Sequence, residues 1–542
     1  MNRPQTYVSV AVLLVGLMLS LFVLKTPIPN MEADDQFNTK YALETIAAIS
    51  KEPHSVYDPI AHEEVRVYLR DELISYLGVD NVTEYTYDRS LVTEEELEYD
   101  IHNLFGVIEG NSDTAILIVG HYDSRGHIGR TGELGNSYGA ADDGYAIATM
   151  MEIVRLYAER SLENSIYILM TDAEETGLYG AHFAAQEDFM DNVGFVINIE
   201  ARGVTGPAYM FETSTNNQTV IDFYTNANMP VSYSLATAVY TVMPNSTDFT
   251  EFLAVDKNGI NFAVLNGLEF YHTPLDNFTN VDPSSIAHYG EQIIPLVEEF
   301  TTDAMYSDVD YFDATQDMVF FTLFSNVFVH YSDTVALVLH SVSLLGAIGL
   351  VVYVLRKTDL AVLDLGKSAL RIIGALFVAF LVGNLVGRIV AFVANVPFNM
   401  TYVRTTIGGW PTFLTLLFLT IGFAYWYNQE TKESQQGVLI VGTLLNLILA
   451  LVTGLVLSGA SFLFLVVGLS GLLIMAVNAF ETPKVGRQVL YGLLMIWNVL
   501  VLVPILYSLY LAITVGGLLA LGIILVFYLI VLVPLFFRQL AL

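Results

Sequence analysis

His121, Asp142, Glu175, Glu200 and His272 are five side chains able to ligate metal, carried by the segments GHYDSR, GAADDG, DAEETG, NIEARG and YHTPLDN. Two imidazoles with three carboxylates form the donor set that a pair of hard-to-borderline divalent cations takes when one carboxylate bridges them. The segments sit at the ends of strand-like apolar runs, so the five meet only if those strands finish side by side. A water activated at such a centre would carry out hydrolysis.

Each segment assigns its residues separate tasks. In ILIVGHYDS the run Ile116–Val119 reads as a buried strand, and alternation puts His121 and Asp123 on the same side. Asp123 is then expected to accept the second ring N–H of His121 and fix its tautomer. GAADDG opens a helix that either aspartate could cap. Gly139 and Gly144 leave room for close approach there, and Asp142 is assigned the bridge. The adjacent glutamates of TDAEETG point in different directions, so Glu175 is read as a ligand and Glu174 as the carboxylate facing the water. Glu174 would take the water's proton and pass it to the leaving amine. The same pair would also suit a solvated helix start. Glu200 follows the buried run VGFVINI, where a carboxylate needs a partner or an ion. His272 lies on a turn fixed by Pro274, with Asp276 as its expected support. His54, His62, His102, His127, His182, His288, His330 and His340 lack such settings and are read as structural or surface residues.

The elements that must position these residues are legible as alternating patterns. Strand-like runs are expected at 100–109, 115–120, 165–170, 194–199, 207–211 and 259–265, with helical periodicity over 42–78 and 143–160. In the latter, Ile147, Met150, Met151, Val154 and Tyr157 recur at helical spacing. Strands alternating with helices predict a three-layer α/β domain, whose sites lie at the carboxyl ends of its strands.

Composition divides the 542 residues in two. Up to residue 332 there are 13 Lys+Arg against 50 Asp+Glu, a balance of −37; beyond it there are 10 against 6, or +4. The acidic half repels nucleic acid and anionic lipid, which excludes both as its partners. Residues 7–25 and seven later stretches (334–355, 369–395, 410–427, 437–457, 460–480, 489–511 and 515–536) are long and apolar enough to span a bilayer, about eight spans in all. Arg3, Arg356, Lys357, Lys367, Arg371, Lys432, Lys484, Arg487 and Arg538 then share one side, and the opposite short loops hold only Arg404, with Lys25 at the mouth of the first span. The positive-inside rule puts both termini in the cytoplasm and the acidic domain outside. With no cysteine, that domain depends on packing and bound metal for stability. Residues 316–332 read as an interfacial or domain-closing segment, and Arg388 as an intramembrane charge that either lines a polar cavity or snorkels. Asn384, Asn446, Asn478 and Asn498 are expected to hydrogen-bond between helices.

Taken in order, GHYDS, GAADDG, AEETGLYGA, NIEARG, STDF and YHTPLDN resemble the di-zinc exopeptidases of metallopeptidase family twenty-eight, across roughly 40–305. A soluble domain followed by a polytopic bundle is similar to the family's membrane-bound branch, that of the vacuolar membrane protease and the endoplasmic reticulum metallopeptidase. The resemblance implies a zinc exopeptidase fold with a central mixed sheet, and two zinc ions per chain. One ion would sit on His121, Asp142 and Glu200, the other on Asp142, Glu175 and His272. Glu174 would be the general acid/base and Asp123 the orienting carboxylate. Aminopeptidase action on peptides is the expected activity, with carboxypeptidase action, glutaminyl cyclisation or a non-catalytic receptor or transporter as rivals. The membrane would be the plasma membrane in a bacterium, and the vacuolar or endoplasmic reticulum membrane in a eukaryote. Two departures stand out: a long link from Ser124 to Tyr138, with Arg125, His127 and Arg130 as candidate substrate contacts, and Glu200 where many relatives carry Asp. The expected domains are an anchor at 1–29, a peptidase domain at 30–315, a connector at 316–333 and a seven-helix bundle at 334–542.

Overall fold

The computed structural model describes residues 3–92, 99–128, 133–240, 245–400, 403, 405, 407–480 and 483–536. Arg130, Arg404 and Arg538 lie outside the described residues, as does the side chain of His127. The chain divides into two compact units, one of Lys25–Asp317 with Ser325–Phe328, the other of Met1–Leu24, Met318–Phe324 and Val329–Leu542.

Helix α1 (Arg3–Leu21) opens the chain and belongs to the second unit. The first unit starts with α2 (Thr39–Ile49), capped by Asn38 accepting the Lys40 N–H at 3.0 Å, and α3 (Pro59–Leu77), where Pro59 occupies the first helical position. Its strands are β1 (Val82–Tyr87), β2 (Ile101–Ile108), β3 (Gly110–His121), the short pair β4 (His127–Ile128) and β5 (Glu133–Leu134), β6 (Leu162–Thr171), β7 (Val193–Ala201), β8 (Thr205–Thr213) and β9 (Gly259–Asn266). Between and after them run α4 (Gly144–Tyr157), α5 (Glu174–Gly177), α6 (Tyr179–Ala184), α7 (Gln218–Tyr224), α8 (Ser234–Tyr240), α9 (Asp248–Ala254) and α10 (Pro283–Thr302).

Seven strands make one mixed sheet in the order β1-β2-β6-β3-β7-β9-β8. The central β6, β3, β7 and β9 are parallel, and antiparallel pairing adds β2 and β1 on one side and β8 on the other. Burial on both faces explains why β7 reads VGFVINIEA with no polar alternation. Alternation along β3 sends Leu117 and Val119 to one face, where they pack with Ala181 and Ala184 of α6 and Phe249 and Phe252 of α9. The opposite face receives α4. A Cβ on Gly120 would lie 2.3 Å from the Ala146 Cβ, so glycine is what lets α4 approach the end of β3. Helices on both faces of a sheet make the three layers the alternation predicts. The periodicity did not reveal β1, an edge strand of intermediate and exposed residues with little apolar signal.

Residues 318–332, within the expected connector, have regular structure. They form two paired strands, β10 (Met318–Phe324) and β11 (Val327–Ser332), around Ser325 and Asn326. Pairing as a hairpin lets a run too short to span a membrane satisfy its backbone hydrogen bonds.

The second unit continues with α11 (Asp333–Lys357), α12 (Val362–Val393), α13 (Gly409–Gln429), α14 (Lys432–Val456), α15 (Ser461–Ala479), α16 (Lys484–Ile513) and α17 (Leu518–Phe536). By length and composition, six stretches among the described residues can cross a membrane; the last, Lys484–Phe536, contains both α16 and α17. The apolar part of α1, Val8–Leu21, is shorter than these six. Two of the four expected asparagines bond between helices: Asn498 donates to Ser470 Oγ at 2.9 Å, and Tyr491 donates to Asn478 Oδ1 at 2.7 Å. Asn446 bonds within its own helix, and Asn384 accepts from Arg388, an exposed side chain whose guanidinium lies over Phe398.

His288 of α10 is fully buried in the first unit. Its Nδ1 accepts the Ala208 N–H at 2.9 Å, which leaves Nε2 to donate to the Met229 carbonyl at 3.1 Å. Burial pushes its pKa down to about 4. The unfolded chain therefore takes up this proton first, so the stability is present above about pH 6.5 and drains away as pH falls towards 4. We expect acidification from pH 7 to 5 to cost about 2 kcal/mol at this residue. His288→Gln should lose correspondingly less than the parent over that interval when unfolding midpoints are compared in detergent.

Candidate metal centre

The parallel strands β3, β6, β7 and β9 all end at one edge of the sheet, and the candidate residues stand on those ends or the turns that follow them. His121 is the last residue of β3. Its Nδ1 lies 2.8 Å from the Asp123 carbonyl, an atom that can only accept, so Nδ1 carries the proton and the Nε2 lone pair faces the centre. The expected Asp123 carboxylate is farther, at 3.4 Å, because it has another task. Its two oxygens receive the Glu174 N–H at 3.1 Å and the Glu175 N–H at 3.3 Å. Asp123 thus joins the end of β3 to the start of α5. Ala173 enters that turn with φ of 58°, a left-handed conformation of the kind held at functional sites by surrounding structure.

Asp142 precedes α4, and the Asp142–Asp143 peptide bond is cis. Asp276 was expected to support His272; it grips this loop instead. Its oxygens accept the Ala141 N–H at 2.8 Å, the Asp142 N–H at 3.3 Å and the Ser137 hydroxyl at 3.1 Å. Two backbone amides and one hydroxyl of the loop thus meet one carboxylate. Glu200 lies near the end of β7; Asn198 donates to its Oε1 at 3.3 Å. Tyr289 of α10 donates to the Glu200 carbonyl at 2.5 Å and accepts the Val264 N–H at 2.8 Å. His272 follows β9 at φ of 57°, stacked on Tyr271 with ring centres 3.6 Å apart.

The five residues converge. His121 Nε2 lies 3.4 Å from Asp142 Oδ1 and 3.9 Å from Glu200 Oε2. His272 Nε2 lies 3.2 Å from Asp142 Oδ2 and 3.0 Å from Glu175 Oε1. Donors about 2.0–2.1 Å from a tetrahedral ion are about 3.3 Å from each other, so these spacings suit common coordination. His121 Nε2, Asp142 Oδ2, Glu175 Oε1 and His272 Nε2 are also buried with no hydrogen-bond partner. Two groups able to hold an ion result, one of Asp142, Glu175 and His272, the other of His121, Glu200 and Asp143. The first is partly open to solvent and the second is buried.

Burial and crowding displace the protonation equilibria. Burial alone would raise Asp142, but the two imidazoles hold it below the usual carboxylate range. Burial, then the neighbouring Asp143, pushes Glu200 well up, and burial pushes Glu174 well up against the pull of His121. The rings respond in the opposite sense: burial would lower both, yet Asp123 and Asp142 raise His121, and Glu175 and Asp142 raise His272. So many buried carboxylates need positive charge beside them.

The sequence reading missed two acidic residues. Asp143 is buried at the N-cap position of α4 without capping it; its Oδ2 instead accepts the His121 N–H at 3.3 Å. Asp248, in the STDF segment, accepts the Thr171 hydroxyl, and burial pushes its pKa up to about 7. The doubled Asp before α4 was the signal for the first. Arg125, read as a candidate substrate contact, is engaged with Glu175 at 2.9 Å.

Asp276→Asn removes a charge-assisted acceptor from the Asp142 loop. Amide exchange at Ala141 and Asp142 should quicken about ten-fold, as expected for a loss of about 1.4 kcal/mol. Hydrogen-exchange mass spectrometry of the 137–143 segment would show it; unchanged exchange there would remove Asp276 from this role.

Residues 103–297 match the family described as Peptidase family M28. A protein named vacuolar membrane protease from Candida albicans (strain WO-1) is 28% identical over 284 residues, 49% of this chain and 31% of that protein. The Schizosaccharomyces pombe protein of the same name is 27% identical over 281 residues, 49% of this chain and 32% of its own length. The matches thus span about a third of these relatives. Among solved structures, a Zn-dependent exopeptidase from Parabacteroides distasonis ATCC 8503 is 17% identical, covering 49% of this chain and 99% of that one with a TM-score of 0.39. The chain carries a peptidase family M28 domain, joined in one polypeptide to a bundle of helices of membrane-spanning length.

Proposed function

We propose that this chain is a membrane-anchored di-zinc exopeptidase that removes residues from the amino ends of peptides. The observation that carries the reading is Asp142, whose two oxygens face two different histidines at 3.4 and 3.2 Å. That arrangement supports a shared carboxylate between two cations, with His121 and Glu200 on one side and Glu175 and His272 on the other. Zinc ions bound there would supply Lewis acidity to the scissile carbonyl and lower the pKa of a water.

The chain's own residues do the rest. Glu174 is only half-buried, beside the open group, and its backbone N–H is fixed by Asp123. Its carboxylate takes the proton of the attacking water and returns it to the leaving amine. Asp123 orients His121 through its carbonyl and Glu174 through its carboxylate, so one residue sets the register between ligand and base.

The run of basic residues on alternate loops supports both termini in the cytoplasm and the acidic unit outside, with α1 and the seven later helices as eight spans. Peptides are the substrates of this reading, and membrane lipid surrounds the bundle.

The test uses the full chain in detergent. Parent protein should bind about two zinc ions and release amino-terminal residues from free, but not blocked, peptides. Glu174→Ala should lose about 10²–10⁴-fold in kcat while keeping its zinc. Equal turnover by the variant and the parent would overturn the role of Glu174, and cleavage restricted to carboxyl ends would overturn the aminopeptidase assignment.

A further inference from the structure

Glu175 stands on a far shorter element than His121 or Glu200. His121 and Glu200 stand on central strands, and Asp142 is clamped by Asp276. Glu175 instead lies in α5, a single turn of four residues bounded by the left-handed Ala173 and Leu178. A carboxylate on such a turn has rotamers to lose before it can serve an ion at a fixed point.

Arg125 supplies the missing constraint. Its Nη1 donates to the Glu175 carbonyl and, at 2.9 Å, to Glu175 Oε2. Backbone and side chain of Glu175 are therefore held by one guanidinium, and Oε1 is left directed at His272 Nε2, 3.0 Å away. Arg125 is itself well braced. Ser124 exchanges two hydrogen bonds with His54, and the Arg125 carbonyl accepts the Ser137 N–H at 3.2 Å. The long link after β3 thus has a structural purpose beside any contact with substrate. No Lys or Arg joins His121, Asp142 or Glu200 in the described ion pairs, so the two proposed cation positions differ in their surroundings.

We propose that Arg125 is a positioning residue: by locking Glu175 with one oxygen outward, it sets how firmly the Glu175–His272 position holds its ion. The inference rests on the di-metal reading above. Groups that orient a ligand from behind change metal affinity by about 10–100-fold when removed. The effect belongs to one position only, since Glu175 serves only that one.

The experiment loads the full chain in detergent with zinc, dialyses it against graded chelator and counts bound metal. Parent, Arg125→Met, Arg125→Lys and His272→Ala are compared. The parent should lose its ions in two steps. Arg125→Met should release the ion of the Glu175–His272 position at about 10–100-fold lower chelator activity and hold the other like the parent. His272→Ala identifies which step belongs to this position. Arg125→Lys, which keeps a donor to Glu175, should fall between. Thermal midpoints before loading should agree, which separates positioning from general unfolding. Arg125→Met releasing both ions like the parent would overturn the inference, as would equal weakening of both steps. A parent that binds a single ion would overturn it too, while peptide cleavage by that protein would leave the peptidase reading standing.

Discussion

One carboxylate between two imidazoles is the contact on which the centre depends. Asp142 sits where burial alone would favour its neutral form, and the rings of His121 and His272 hold it charged. Everything around it serves that placement. Gly120 lets α4 approach β3, Asp276 grips the loop from below, and the parallel strands bring two distant histidines to one edge. The carboxylate's two lone-pair faces then give each imidazole its own oxygen. Such economy explains why so acidic a cluster can be packed at all: its charges are arranged around shared positive partners.

Much of this was legible in the residues. The five candidate residues lie close together, and for His121 and Glu200 the reason shows in the sequence as an apolar run that finishes in a polar residue. A buried strand end leaves a charged group no water, so it must face a partner. Helix α4 (Gly144–Tyr157) falls within the expected 143–160 span. The partners behind the ligands were far less visible. Asp276 serves Asp142 although it is four residues from His272, and the Asp123 carboxylate serves two backbone amides rather than a ring. Spacing along the chain cannot reveal which of several nearby donors a carboxylate meets after folding. Edge strand β1 was missed because half-exposed strands carry weak patterns, and the 318–332 hairpin because a short continuous apolar run does not show which element it forms.

The two units answer to different solvents. In the first, outside the candidate centre, buried polar side chains form networks such as the Glu200–Asn198–Asn261–Glu212 chain that crosses three strands. In the second, asparagines of the helices find serine and tyrosine hydroxyls or their own backbone. The same rule operates in both places, with stricter consequences where lipid replaces water.

Tyr289 gives this architecture an order in time. Its hydroxyl joins the Glu200 carbonyl to the Val264 amide, yet it belongs to a helix that is synthesised after every ligand. During translation the edge carrying Glu200 therefore stays unlatched until the α10 segment has emerged and docked. Within the first unit that latch closes only once α10 has docked, and a nascent chain cannot close it early.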